Sequence, residues 1–231
     1  VYFYFSNKIN TNYIKICFTI FFLILLQGLV GWYMVQSGLI NDVTVSHYRL
    51  SVHLIIAFII ISTIFWLIQN IYKKTNKKFF YFNKKNAPFL ILIFIVYIQI
   101  VCGAFVSGLD AGRIYQTWPL MGSSYLPNDI NLENFKILID FKNHSLVQFY
   151  HRNLAYLIFF YILILSFYIF RWRLKNLFNP LKILIVILLL QIILGIVTLV
   201  SGLNIYLASL HQISSVLLVF SSINLYYFQA K

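Results

Sequence analysis

The chain has 231 residues, of which 61% are hydrophobic and 10% charged, with a formal net charge of +13. Soluble domains are about 45–50% apolar and about 25% charged. A mean hydropathy of +0.83 therefore excludes an ordinary water-soluble globule, a disordered chain and a disulfide-stapled secreted domain. A bilayer core takes about 20 apolar residues as a helix. Six runs qualify in chain order: 16–35, 50–72, 88–107, 145–170, 183–201 and 208–228. Five carry no Asp, Glu, Lys or Arg, and the fourth carries only Arg152. The first run is too long for a signal peptide and lacks a small-residue cleavage site. The predicted fold class is all-α, a polytopic membrane helical bundle.

The loops set the orientation. Lys8, Lys15, the six lysines between Lys73 and Lys85, Arg171, Arg173, Lys175, Lys182 and Lys231 share one side, and all five acids (Asp42, Asp110, Asp129, Glu133 and Asp140) share the other. Positive residues stay inside, so both termini are expected inside, with outer loops at 36–49, 108–144 and 202–207. The long outer loop is rich in turn residues and is expected to fold over the bundle mouth. The basic stretch from Lys73 to Lys85, interleaved with Phe79, Phe80, Tyr81 and Phe82, lies between two spans, so it reads as an anionic-lipid contact and not a nucleic-acid site. Cys17 and Cys102 lie inside apolar runs without metal-site spacing. His47 and His144 fall in outer loops and read as solvated.

One pattern recurs. Gln27 and Gly31 precede Ser37-Gly-Leu39, and Gln191 and Gly195 precede Ser201-Gly-Leu203 at the same spacing. Gln99, Gly103 and Ser107-Gly-Leu109 give a shorter version. Each such span is followed, across an outer loop, by a span with a histidine near its outer end: His53, His151 and His211. The repeating unit is a helical hairpin, and its glycines permit close helix approach in lipid. Repeats in membrane proteins pair around a pseudo-twofold axis. The third and fourth spans lack a mate, and the chain opens on Val1. Both features predict a further hairpin before residue 1 and eight spans in the full protein.

Ionisable groups within a span are costly and usually functional. Three histidines at one depth suit heme iron, for which neutral imidazole is a common axial ligand. His151 and His211 supply one such ligand from each of two spans. Arg49, four residues before His53 on the same helix face, and Arg152, adjacent to His151, suit the anionic propionates.

Together these residues resemble one family. Leu26-Gln-Gly-Leu-Val-Gly-Trp-Tyr-Met-Val-Gln-Ser-Gly-Leu39, Val45-Ser-His-Tyr-Arg-Leu50 with His53, Gly103-Ala-Phe-Val-Ser-Gly-Leu-Asp-Ala-Gly112, Tyr115 to Gly122, Gln148-Phe-Tyr-His-Arg152 and His211-Gln212 resemble the heme A synthases of alphaproteobacteria and mitochondria. The resemblance implies an eight-span oxidoreductase of two four-helix halves that oxidises the C8 methyl of heme O to a formyl group, making heme A for cytochrome c oxidase. It implies a heme b cofactor on His151 and His211 with Arg152, and a substrate heme on His53 with Arg49. Residues 1–86 would then belong to the substrate-heme half and residues 87–231 form the cofactor half.

The second substrate ligand and a catalytic glutamate sit in a family Glu-x-x-His-Arg motif that this sequence lacks, so no catalytic residue is assigned and this chain alone is expected to be inactive. Gln116-Thr117 stands where the family often has Asn followed by a small residue. The resemblance implies as partners heme O, an electron donor (ferredoxin-like or a quinol), heme O synthase, the lipid bilayer and further copies of the chain in a homo-oligomer. The expected location is a bacterial inner membrane, with a mitochondrial inner membrane as the alternative. The rival reading is a membrane b-type cytochrome that relays electrons without turnover. A third is a chaperone that delivers heme.

Overall fold

The computed structural model describes residues 11–36, 38, 44–130 and 137–230. Asp42, Glu133, Ser37, Leu39, Lys8 and Lys231, all used in reading the sequence, lie outside the described residues. Six long helices carry the fold: α1 (Thr11–Val35), α2 (His47–Tyr72), α3 (Ala87–Gly108), α4 (His144–Arg171), α5 (Phe178–Val200) and α6 (Ile205–Gln229). All six are long and apolar enough to cross a membrane. A helix is the natural state for such runs, because in hydrocarbon every backbone N–H and C=O must be satisfied within the segment. The helices overrun the expected spans at most ends. α5 begins five residues before the expected 183, taking Pro180 and the exposed Lys182 into its first turns.

Local chemistry sets where these helices begin. Pro88 sits in the first turn of α3, where its missing N–H costs nothing. Asn143 caps α4 by accepting from the Leu146 N–H at 3.0 Å, and Asn204 caps α6 by accepting from the Tyr206 and Leu207 N–H groups. These two caps fix the depth at which His151 and His211 emerge. One expectation is corrected at a helix start. His47 is the first residue of α2 and is buried, with its ring 4.0 Å from that of Tyr48, instead of lying solvated in a loop. His144 is exposed, as expected, although it too opens a helix.

The chain forms two compact units, Val1–Phe80 and Tyr81–Lys231. The first contains the α1–α2 hairpin. After the C-terminal end of α2 the chain folds back at Lys77, whose carbonyl accepts from Trp66 Nε1 at 2.9 Å and Asn70 Nδ2 at 3.0 Å. The second is a four-helix bundle in which α3 packs against α4 and α6, and α5 also packs against α4 and α6. Two hairpins, α3–α4 and α5–α6, thus lie side by side, and α4 and α6 stand on a diagonal. Tyr161 of α4 donates to the Pro88 carbonyl at the start of α3, and Asn176, just before α5, donates to the Phe228 carbonyl at the end of α6, so each hairpin is antiparallel.

Leu92, Ile158, Ile162, Leu184, Ile223 and Tyr226 fill the interior of this bundle. Its outer surface carries Phe160, Phe167, Val186 and Ile213, each more than 60% exposed. In water that surface would be costly at about 25 cal/mol per Å². Against acyl chains it is the correct face.

Candidate histidine ligand site

The recurring residues build one local arrangement three times. In the α1–α2 hairpin, Gln27 Nε2 lies 3.1 Å from His53 Nε2, and a Cβ on Gly31 would stand 3.0 Å from His53 Cε1. In α3–α4, Gln99 Nε2 lies 3.4 Å from His151 Nε2 and donates to the His151 carbonyl at 3.1 Å, while a Cβ on Gly103 would meet His151 Cε1 at 3.2 Å. In α5–α6, Gln191 Nε2 donates to the His211 carbonyl at 3.2 Å and to Ser214 Oγ at 3.0 Å, and a Cβ on Gly195 would meet His211 Cε1 at 3.1 Å. The reason is helical geometry. Gln and Gly four residues apart share one face, so the glycine opens a slot for the imidazole edge and the glutamine closes it one turn deeper. By contrast, a Cβ on Gly28 would meet nothing within 4 Å.

Each imidazole keeps one nitrogen in reserve. Nδ1 of His53, His151 and His211 is buried and has no hydrogen-bond partner among the described residues. A buried polar atom left unsatisfied is destabilising by about 1–3 kcal/mol. An unpartnered imidazole nitrogen held in a rigid slot is what an axial ligand to iron requires. His151 and His211 project from the diagonal helices α4 and α6, each near the N-terminal end of its helix. The donor set therefore fits a heme gripped from both sides within the second unit. A bare ion is less well served: among the described residues no cluster of three or more His, Cys, Asp or Glu side chains gathers. Cys17 and Cys102 are free.

The arginines are engaged differently from one another. Arg49 Nη1 donates to the Tyr33 carbonyl at 2.8 Å, and its guanidinium lies 3.8 Å above the Tyr33 ring. Arg152 donates to three loop carbonyls: Tyr115 at 2.8 Å from Nη2, and Thr117 at 2.9 Å and Leu120 at 3.3 Å from Nη1. Only its Nε is buried without a partner. Gln148, one turn earlier on α4, donates to the same Tyr115 carbonyl at 2.8 Å. Trp118 Nε1 donates to Tyr156 Oη at 3.1 Å, and Tyr125 bonds Asn153.

The outer loop is thus clasped along the face of α4 that carries His151. It also reaches the α5–α6 turn, where a Cβ on Gly112 would come within 2.8 Å of Leu203 Cδ2. Within the loop, Tyr115 Oη donates to Asp129 Oδ1 at 2.8 Å. Desolvation and this contact raise the Tyr115 phenol above its ordinary value. Asp129 is held below the usual carboxylate range: desolvation pushes it up, but the nearby Ser145 hydroxyl and the hydrogen bond from Tyr115 outweigh that.

With this geometry in hand, the likeness to known proteins has a physical content. The model of the COX15-CtaA family, described as cytochrome oxidase assembly proteins, matches residues 1–223. The chain belongs to the COX15-CtaA family. The heme A synthase of Pelagibacter ubique is 46% identical over 217 residues, covering 93% of this chain and 62% of that protein. Those of Rickettsia felis and Rickettsia canadensis are each 37% identical, covering 95% of this chain and 65% of theirs. The chain spans less than two thirds of the length of these curated relatives. Six membrane-capable helices in a COX15-CtaA chain make it a multi-pass membrane protein.

For this family member, the structure places His151 and His211 within one unit and His53 in the other. Reading the sequence missed the glutamines. Gln27, Gln99 and Gln191 were visible as repeat positions, yet only their glycines were given a reason. The signal was the constant four-residue step between each Gln and Gly, which puts both on the face that meets the histidine.

Proposed function

We propose that this chain is part of a heme A synthase, in which His151 and His211 bind a heme b cofactor and His53 binds the substrate heme O. The single observation that carries the reading is the pair of glycine-slotted imidazoles on diagonal helices, each with an unpartnered buried nitrogen. Family membership supplies the direction: the similar proteins named above are heme A synthases. The reaction would hydroxylate the C8 methyl of heme O twice, each round taking one O2, two protons and two electrons from the donor and releasing one water, and the resulting hydrated aldehyde would lose water to leave the formyl group.

A heme bound to His151 and His211 supplies one-electron redox chemistry. The protein's own residues do the rest. Gly103 and Gly195 let the two imidazoles seat against the helices. Arg152 holds the outer loop closed over α4 and presents its remaining N–H to a propionate, and Arg49 offers the same charge beside His53. The loop from Asp110 to Gly122 keeps water from the outer end of the bundle. Residues 1–86 would serve the substrate half and residues 87–231 the cofactor half. The membrane would be a bacterial inner membrane, with both termini inside, because the lysine-rich loops favour that side. The electron donor would be ferredoxin-like or a quinol, and heme O synthase would supply the substrate.

Co-expression of the full-length protein with a heme O synthase, followed by chromatography of extracted pigments, tests this. Heme A should appear, and replacing His151 or His211 should abolish it together with the b-type absorbance. Bound heme b without heme A would favour an electron-relaying cytochrome, and heme O bound unchanged would favour a delivery chaperone. Either result overturns the proposal.

A further inference from the structure

Two of the three histidine slots are closed by a glutamine whose amide oxygen is unused. Gln27 and Gln99 each turn Nε2 toward the imidazole, and the Oε1 of each is buried with no partner among the described residues. An imidazole that binds iron through one nitrogen carries its proton on the other, and that N–H needs an acceptor to fix the ring and raise its basicity. The primary amide has both a donor and an acceptor end, and its terminal torsion is soft. Turning it over places Oε1 where Nε2 now lies, at hydrogen-bond range of the ring. In Gln27 this pairs the amide oxygen with the ring and leaves the other ring nitrogen for iron; in Gln99 it does the same but exchanges away the 3.1 Å bond from Nε2 to the His151 carbonyl. Gln191 is different. Like Gln99 it bonds the carbonyl of its own histidine, but its other contact is Ser214 Oγ and not the ring.

We propose that Gln99 and Gln27 are positioning residues that orient His151 and His53 and set their strength as ligands, whereas Gln191 anchors the main chain of its turn and leaves the His211 ring untuned. The proposal rests on the heme reading of these histidines.

The test uses full-length protein purified in detergent with its heme. Heme content is read by pyridine hemochrome, the midpoint potential by redox titration, and axial ligation by electron paramagnetic resonance. Gln99→Leu removes the acceptor, so the ligand becomes less basic. The expected result is retained heme, a midpoint potential shifted upward and altered g values. Gln99→Glu keeps an acceptor and adds charge, so the potential should shift downward. Gln191→Leu should move the potential less than either. Loss of the acceptor should also loosen heme retention by about 10–100-fold, as outer-shell substitutions do. Heme-loaded Gln99→Leu with the parent's potential and g values would overturn the proposal. If that variant does not assemble, Gln99→Glu decides, and an unshifted potential there overturns it equally. Parent protein that binds no heme would instead defeat the heme reading.

Discussion

The α1–α2 hairpin and the two hairpins of the second unit all seat a histidine against a glycine four residues after a glutamine, yet they differ in whether a second such hairpin packs beside them within the unit. In the second unit, α3–α4 and α5–α6 pack side by side and bring His151 and His211 onto diagonal helices. In the first unit, His53 is the only histidine held in such a slot among the described residues. The lesson is that the slot is a local device and the ligand pair is a tertiary one. Gln and Gly at a four-residue step seat an imidazole wherever the hairpin forms. A metal-binding pair requires two such hairpins in register.

The largest effect that separates the two regions should come from filling the slots. Gly103→Val and Gly195→Val put a branched side chain where even a Cβ would stand 3.2 and 3.1 Å from His Cε1. Each should lower heme b occupancy by about tenfold or more, the scale expected when ligand support is lost. Gly31→Val should leave heme b in place and lower only heme A yield, because its slot holds His53. Gly28→Val, with open space around it, should change neither. The hemochrome and pigment profiles of the four variants make the check. Equal loss of heme b in Gly31→Val and Gly103→Val would break the distinction between the regions.

A smaller effect is expected at the arginines. Arg152→Met removes the side-chain donor from the Thr117 and Leu120 carbonyls and leaves that of Tyr115 with Gln148 alone, whereas Arg49→Met frees one carbonyl, that of Tyr33 in α1. These bonds are largely exposed, so each contributes at the ordinary scale of about 0.5–1.5 kcal/mol or below. Arg152→Met should therefore speed proteolysis within residues 115–130, while Arg49→Met should not. Limited proteolysis in detergent measures this.

The smallest effect is electrostatic. Asp129 is held below the ordinary carboxylate range. Its contact with Tyr115 therefore contributes at neutral pH, where both folded and unfolded states are ionised. That contribution is lost only as pH falls from the unfolded value, about 3.9, through the lower folded one. The pair is exposed, so the contribution is at most about 1 kcal/mol. Asp129→Asn should remove the acid-side loosening of the loop in hydrogen-exchange measurements and leave neutral-pH behaviour almost unchanged.

Much of this was legible in the sequence because hydrophobic length and loop charge act locally. All six helices and the depth of His53, His151 and His211 follow from runs and spacings that any one hairpin displays. The His47 environment was not legible. Its burial depends on α2 starting three residues before the apolar run that identified the span. The task of Arg152 was equally hidden, because the carbonyls of Tyr115, Thr117 and Leu120 belong to a loop more than thirty residues earlier. The glutamines were visible as letters. Their chemistry appeared only when the hairpin closed and one amide met one ring.

The most direct measurement of the central claim is the low-temperature electron paramagnetic resonance spectrum of the oxidised full-length protein, compared with its His211→Met variant. The account, in which His151 and His211 would share one iron, predicts a low-spin signal with two imidazole ligands in the parent and a changed axial set in the variant. A parent-like signal in the variant, with heme b still bound, would contradict it.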